Sequence, residues 1–429
     1  MTLIKSTLWT SLSTFIKVLA VYATWKVIAV YTGPSGLAVI EQFQNFIQIC
    51  RSFSCSLNQG VIKYVAEYKH DAVRKARILS SALMAYFIIS VVVSIFLFLF
   101  RTAIANNIFH SIAYKQSISL LSVSIILYAL NNFFLSVLNG ELEIKKYVSC
   151  NIINTLFILI VTIFLIMHYG IWGGLVGFIL NQSLVACVTG YFVIRSQWFK
   201  LGAYVQGIDK ASIFQLIHYA IISFTPILIV PLSSMILRKC IVHELSWQEA
   251  GYWQGIMKLS DGYLILMELV ISVYFLPKIS GTNVLSALKA EIFNIYRLIV
   301  PIALLGLTCV FLFKQTIVST VYSEQFFPML TLFKYQLIGD FTRILAWVLT
   351  SVLAAKAMVK ILVFSEVTMN IVNIVLTFVL VRHFGLIGSS ISFAINNIVF
   401  LLLMIFFSLK CIRNGSFKLI SSELELATG

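Results

Sequence analysis

The sequence predicts an all-α polytopic membrane protein, with twelve transmembrane helices in two six-helix lobes related by a pseudo-two-fold axis along the membrane normal. Three observations predict it. The 429 residues are 60% hydrophobic and only 11% charged, too apolar for a soluble domain of this size. Apolar stretches of spanning length recur along the chain, separated by short polar connections. The two halves also match each other at one constant offset.

The first stretch, 7 to 31, is too long for a signal-peptide core, carries Lys17 and Lys26, and is followed by no small-residue cleavage site, so it is a first spanning helix. The second, 37 to 60, is the least apolar. The third and fourth cover 78 to 100 and 117 to 139. The fifth and sixth, 148 to 167 and 173 to 194, flank a glycine run in which Gly170/Gly174 and Gly173/Gly177 have G-x-x-x-G spacing. With no strand before it, this run marks close helix packing, not a phosphate loop. The seventh, 213 to 237, holds Pro226 and Pro231, each of which removes a backbone donor and makes either a hinge or a static kink. The remaining stretches are 250 to 276, 298 to 314, 328 to 355, 361 to 381 and 388 to 409, with Pro277, Pro301 and Pro328 as boundary residues. The lobes are therefore 1–211 and 212–412, followed by a cytoplasmic tail, 413–429, that reads as disordered.

The net charge of +15 is largely a matter of orientation. With a cytoplasmic N-terminus, the inside connections hold eighteen Lys and Arg and the outside ones six, among them Arg238 and Lys239; seven remain within spans, completing the 31. Both termini are then cytoplasmic, and a nucleic-acid partner is not needed to explain the basic balance. Seven cysteines form no C-x-x-C pair and lie mostly within spans, and six histidines lack ligand spacing, so neither a disulfide nor a metal site is expected.

At an offset of 215 residues, Gly36 aligns with Gly251, Lys63 with Lys278, Lys145 with Lys360, His168 with His383, Gly170 with Gly385, Gly173 with Gly388 and Asn181 with Asn396. One unbroken offset through four pairs of spans points to duplication. Because six spans per half is even, the halves enter the membrane in the same sense, with a substrate site expected between them.

Twelve ionisable side chains lie in or beside these spans: Lys17, Lys26, Arg51, Lys63, Lys258, Lys334 and Arg343 against Glu41, Asp261, Glu268, Asp340 and Glu366. A charge at the centre of a spanning helix costs about 2.5–3.5 kcal/mol on insertion scales, so such groups face a protein-lined or wet interior. Glu41, Gln44, Gln48 and Arg51 fall on one helical face, as do Gln254, Lys258, Asp261 and Glu268, and Gln336, Asp340 and Arg343. The alternative for Lys258 with Asp261, and for Asp340 with Arg343, is local ion pairing three residues apart. Lys26, Lys63 and Lys334 lie near enough to span ends to snorkel. Lys17 and Arg51 have no acid three or four positions away. This basic set suits a diphosphate, which Arg binds through paired donors; Lys17, Lys26, Arg51, Lys63, Lys258 and Arg343 are the binding candidates. Glu41, Asp261, Glu268 and Asp340 are the candidates for taking up H+ or Na+ as a coupling ion.

With these residues in view, the chain resembles the Wzx-type flippases of the multidrug/oligosaccharidyl-lipid/polysaccharide exporter superfamily, nearest the enterobacterial lipid III and O-antigen branch. The resemblance is carried by Ser6-Thr-Leu-Trp-Thr10, Gly33-Pro-Ser-Gly36, Gly60-Val-Ile-Lys-Tyr-Val-Ala-Glu-Tyr68, Ser246-Trp-Gln-Glu-Ala-Gly-Tyr-Trp-Gln-Gly255, Ser260-Asp-Gly-Tyr263, Val273-Tyr-Phe-Leu-Pro277 and Gln336-Leu-Ile-Gly-Asp340. It implies a non-enzymatic, alternating-access transfer of an undecaprenyl-diphosphate-linked oligosaccharide to the periplasmic leaflet of the bacterial inner membrane. It further implies no cofactor, action as a monomer among membrane lipids, and a polymerase and chain-length regulator as candidate partners. Peptidoglycan lipid flippases carry cations in their first two helices, and Lys17, Glu41 and Arg51 look like counterparts. A composition heavy in Ile, Phe and Ser favours an O-antigen repeat unit as cargo. A drug/cation antiporter would call for an acidic cavity, and a polymerase or ligase for a large connecting domain; the basic excess and the short connections speak against both.

Overall fold

In the computed structural model the described residues, 3–204, 206–271, 275, 278, 279, 285–356 and 358–413, form helices joined by short connections, with no strand among them. Side chains are described at these positions except 3–16, 181, 182, 203, 221–223, 226, 266, 269, 285, 412 and 413. The C-terminal tail expected to be disordered lies outside them.

The helices are α1 (Leu3–Cys55), α2 (Asn58–Glu67), α3 (Ala72–Phe109), α4 (Lys115–Gly140), α5 (Ile144–Ile194), α6 (Lys210–Glu244), α7 (Trp247–Val270), α8 (Leu285–Leu312), α9 (Lys314–Val321), α10 (Phe333–Ala355), α11 (Val359–Phe384) and α12 (Ile387–Arg413). Among the described residues seven helical segments are long and apolar enough to cross a membrane, on α3, α4, α5, α8, α10, α11 and α12. The stripe-bearing α1 and α7 are not among the seven.

Two of the longest helices are interrupted. In α1 the break is Gly33 (φ 66°, ψ −171°), and in α5 it is Gly170 (φ 55°, ψ −132°), backbone conformations that only glycine adopts without strain. Gly385 (φ 61°, ψ −147°) takes a closely similar conformation between α11 and α12. Gly170 and Gly385 are the pair that the 215-residue offset superimposes, and the packing around them repeats too. A Cβ at Gly173 would stand 1.8 Å from the Leu165 carbonyl oxygen, and one at Gly388 would stand 2.1 Å from that of Leu380. Further from the turn, a Cβ at Gly177 would lie 2.9 Å from Thr162 Oγ1, while Ser392 Oγ lies 2.6 Å from Thr377 Oγ1. Every one of these pairs differs by 215. The glycine run is thus a hairpin in which the chain reverses and two helices meet at backbone distance, in agreement with the close-packing reading.

Gly173→Ala and Gly388→Ala place a methyl group against a backbone carbonyl that has no rotamer to move into, at a cost of about 1–3 kcal/mol or more. Thermal unfolding of the purified variants checks it; an unchanged midpoint contradicts the close approach.

The chain divides into two compact units, Met1–Met235 and Ile236–Gly429, the division falling inside α6. The core of the first is rich in aromatic residues, with Tyr64, Tyr86, Phe133 and Tyr204 packed among Val61, Val65 and Leu79. The second is built on aliphatic contacts among Leu264, Ile295, Ile299, Ile344 and Val348, with Phe275.

Connections are capped by side chains. Asp71 Oδ1 accepts from the Arg74 N–H at 3.0 Å to start α3, and Ser246 Oγ accepts from the Glu249 N–H at 3.1 Å to start α7. Asp209 starts α6, accepting through Oδ2 from the Ser212 N–H at 2.9 Å and the Ser212 hydroxyl at 2.6 Å. These bonds hold its carboxyl below the usual range. Because the folded pKa is depressed, the cap stabilises fully above the unfolded value near 3.9 and is lost as pH falls through the lower folded one. Asp209→Ala should therefore lower the unfolding midpoint at pH 7, with the gap to the parent closing in strong acid.

Hydropathy misplaced one boundary. The seventh span was expected to end at 237 with Arg238 in an outer connection, yet α6 runs on to Glu244 and Arg238 is fully buried, its Nη2 donating to Gln254 Oε1 at 2.5 Å. An apolar run marks where a helix is greasy; its backbone hydrogen bonds continue past that point.

Candidate functional site

The first unit positions Arg51 on the part of α1 that follows Gly33. Its guanidinium carbon lies 3.8 Å from the centroid of the Tyr128 ring on α4, a cation–π contact. It also bonds the Cys55 thiol one turn along α1. Its Nε is buried without a hydrogen-bond partner, and among the described residues no carboxylate pairs with it. Arg51 and Tyr128 line a small cleft, with a cavity volume of about 20 Å³, bounded by α1, α4 and the part of α5 after Gly170. The other walls are Ile47, Leu121, Ile125, Phe178 and Ile179, together with Ser124 and Ser183. The Tyr128 hydroxyl is buried and unpartnered as well. Asn131, three residues further along α4 and so on the same face, is 0% exposed with neither amide atom bonded.

The other candidates on α1 differ in setting. Lys17 is exposed, Lys26 half-buried and Glu41 buried. Lys63, on α2, is exposed and held in place: its Nζ donates to the Tyr219 hydroxyl at 2.7 Å and pairs with Glu67 at 3.7 Å.

The second unit brings four predicted polar residues together on α7 and α10. Asp340 is 0% exposed; its Oδ2 accepts from the Ser260 hydroxyl at 2.6 Å and from the Tyr263 hydroxyl, while Oδ1 has no hydrogen-bond partner. Gln336 donates through Nε2 to Ser260 Oγ at 3.1 Å, leaving its own buried Oε1 unpartnered. Arg343 Nη1 lies 3.9 Å from Asp261 Oδ1 and its guanidinium 5.0 Å from the Trp347 ring. The acids are therefore engaged across helices: Asp261 with Arg343, and Asp340 with two hydroxyls. This corrects the pairing of Asp340 with Arg343 within one helix turn, because both side chains lean toward α7 instead of lying along α10. Lys258 is half-buried, and Glu268 is exposed on the last turn of α7. Pro231 is buried within α6; Pro226 lies on the same helix, with its side chain outside the described residues. Among the described residues no group of three His, Cys, Asp or Glu could hold a metal ion.

Sequence reasoning missed Tyr128, Asn131 and Arg238. The first two stand in a span without an ionisable residue, where an aromatic or an amide among serines stands out little. Arg238 was hidden by the boundary error.

The sequence profile described as "Polysaccharide biosynthesis protein" matches residues 38–331, more than half of the chain. The chain belongs to this polysaccharide biosynthesis protein family. Relatives include the lipid III flippases of Escherichia coli (strain K12) and Shigella flexneri, each 25% identical over 414 residues, covering 96% of this chain and 98% of theirs. Among solved structures, an inward-facing multidrug resistance MATE family transporter of the MOP superfamily superimposes with a TM-score of 0.80 at 11% identity, covering 94% of this chain and 95% of that one. The lipid II flippase MurJ in an inward closed conformation gives 0.72 at 14% identity, over 92% and 86%. At such identities these likenesses carry the fold. This member of the family is a multi-pass membrane protein with the all-helical fold of these transporters.

Proposed function

We propose that this chain is a flippase that moves an undecaprenyl-diphosphate-linked oligosaccharide from the cytoplasmic to the periplasmic leaflet of the inner membrane by alternating access. One observation carries the reading: Arg51, on a helix read as crossing the bilayer, lies over the Tyr128 ring in a small cleft and has no carboxylate to balance it among the described residues. A cation so placed is stabilised by an anion that comes and goes, and a diphosphate offers paired oxygens to its donors. The lipid III flippases aligned along nearly the whole chain support a lipid-linked sugar as cargo.

Dividing α1 and α5 at their glycine breaks and leaving α2 and α9 outside the bilayer supports twelve crossings, which put both termini on one side, and the basic balance of the connections favours the cytoplasmic side. Lys17 assists Arg51. Asp340 takes up the coupling ion, a proton or sodium, at its unpartnered oxygen. The favoured cargo is an O-antigen repeat unit over common-antigen lipid III.

Deleting the gene and analysing the lipid-linked intermediate that accumulates tests this. A diphosphate-linked O-antigen unit retained on the cytoplasmic side is the expected result. Accumulated lipid III corrects the cargo; a normal lipid pool with altered drug tolerance favours an antiporter instead.

A further inference from the structure

We propose that the exposed face shared by α7 and α10 in the second unit is a subsite for the sugar residues of the cargo, with Asp261, Arg343 and Trp347 as its contact residues. This rests on the reading of the chain as a carrier of a lipid-linked oligosaccharide and names where the glycan, as distinct from the diphosphate, is held. Arg343 stands near the midpoint of α10, a helix apolar enough to cross a membrane, and lies about 15–18 Å from either end of it. Its side chain is nevertheless 30% exposed, and that of Asp261 on α7 is 51% exposed. Charges exposed at that depth are costly against acyl chains, so the face they share meets water or a polar cargo. The pair is not a closed link. At 3.9 Å the two groups attract each other without a hydrogen bond, which leaves guanidinium donors and carboxylate acceptors side by side for a ligand. Nor is the pair needed to join the helices, because the fully buried Asp340 on α10 already bonds the Ser260 and Tyr263 hydroxyls of α7.

Charge and chemistry indicate the occupant. Lys258 and Arg343 balance Asp261 and Glu268, so this polar stripe sums to zero and offers a diphosphate no excess of positive charge. A sugar hydroxyl both donates and accepts, and therefore satisfies the carboxylate and the guanidinium together. Trp347, one turn beyond Arg343 and partly exposed, sets an apolar ring beside the pair, its centroid 5.0 Å from the guanidinium carbon. The C–H groups of a pyranose pack against such a ring while its hydroxyls reach the charges. Arg343 thereby leaves the set of diphosphate candidates.

The deletion strain supplies the probe: the reducing oligosaccharide released by mild acid from its accumulated lipid-linked intermediate. It is titrated by calorimetry into the purified full chain in nanodiscs of neutral lipid. Asp261→Asn keeps the side-chain volume and removes the charge, and Trp347→Phe keeps an aromatic ring but shortens it. A third variant, Asp261→Arg with Arg343→Asp, restores an ion pair between the same helices with its ends exchanged. The expected result is a dissociation constant raised about tenfold or more by Asp261→Asn and by Trp347→Phe, the loss of about one hydrogen bond to a charged group or of its equivalent in ring contact. The exchanged chain should unfold at the parent's temperature without regaining affinity; the two single variants, which preserve packing, decide on their own if it fails to fold. Parent-like affinity in both single variants, or full recovery in the exchanged chain, makes the pair a link between α7 and α10 and overturns the sugar site while the carrier reading stands. A parent chain that does not bind its own oligosaccharide overturns the site as well. A deletion strain that accumulates no lipid-linked oligosaccharide overturns the carrier reading, and the subsite with it.

Discussion

Arg51→Ala abolishes surface polysaccharide while the protein still reaches the membrane. Each hydrogen bond from a guanidinium to a charged oxygen contributes about 1.5–3 kcal/mol, so losing a paired contact to the diphosphate weakens binding by about 10²–10⁴-fold. The fold should tolerate the change, because no carboxylate pairs with Arg51 among the described residues and the cation–π contact with Tyr128 is worth only about 0.5–2 kcal/mol. Arg51→Lys keeps the charge and loses the paired donors, so it should give an intermediate phenotype. Polysaccharide ladders on gels read the effect, with immunoblots of membrane fractions as the control. Undiminished polymer in Arg51→Ala contradicts the assignment.

Asp340→Asn uncouples transport from the ion gradient. Asparagine preserves the volume and a carbonyl oxygen for the Ser260 and Tyr263 hydroxyls, so α7 and α10 stay joined, but it can neither take up a proton nor balance sodium. In vesicles the parent should respond to an imposed pH or sodium gradient and Asp340→Asn should not, with pyrophosphate binding unaffected. Asp340→Leu is harsher, since it strands both hydroxyls at about 1–3 kcal/mol each, and lowers the amount of folded protein. Gradient-driven transport retained by Asp340→Asn removes Asp340 from the coupling role.

The hairpin at Gly170 and its repeat at Gly385 were legible in the sequence because a positive φ and a backbone contact each demand glycine, and the demand leaves a spaced pattern. Arg51 and Asp340 were legible for a related reason: an ionisable group in an apolar run is costly enough to stand out. What they touch was not. Asp340 and Arg343 are three residues apart, which favours a pair along one helix, yet each meets α7, and only packing determines that choice. Tyr128 and Asn131 gave no signal, because their importance lies in lacking a partner, a property of the folded neighbourhood. Arg238 was lost where apolar character ended seven residues before the helix did.

If the first unit holds its cargo by the diphosphate, a reconstituted system separates the headgroup from the glycan. Purified protein in proteoliposomes is given a short oligosaccharide on undecaprenyl diphosphate, and separately the same glycan on undecaprenol without phosphate, and arrival in the opposite leaflet is followed by accessibility to a glycosidase. Transfer of the diphosphate-linked form alone, lost in Arg51→Ala, is the predicted result. Equal transfer of both lipids, or transfer that survives Arg51→Ala, removes the diphosphate and Arg51 from cargo recognition.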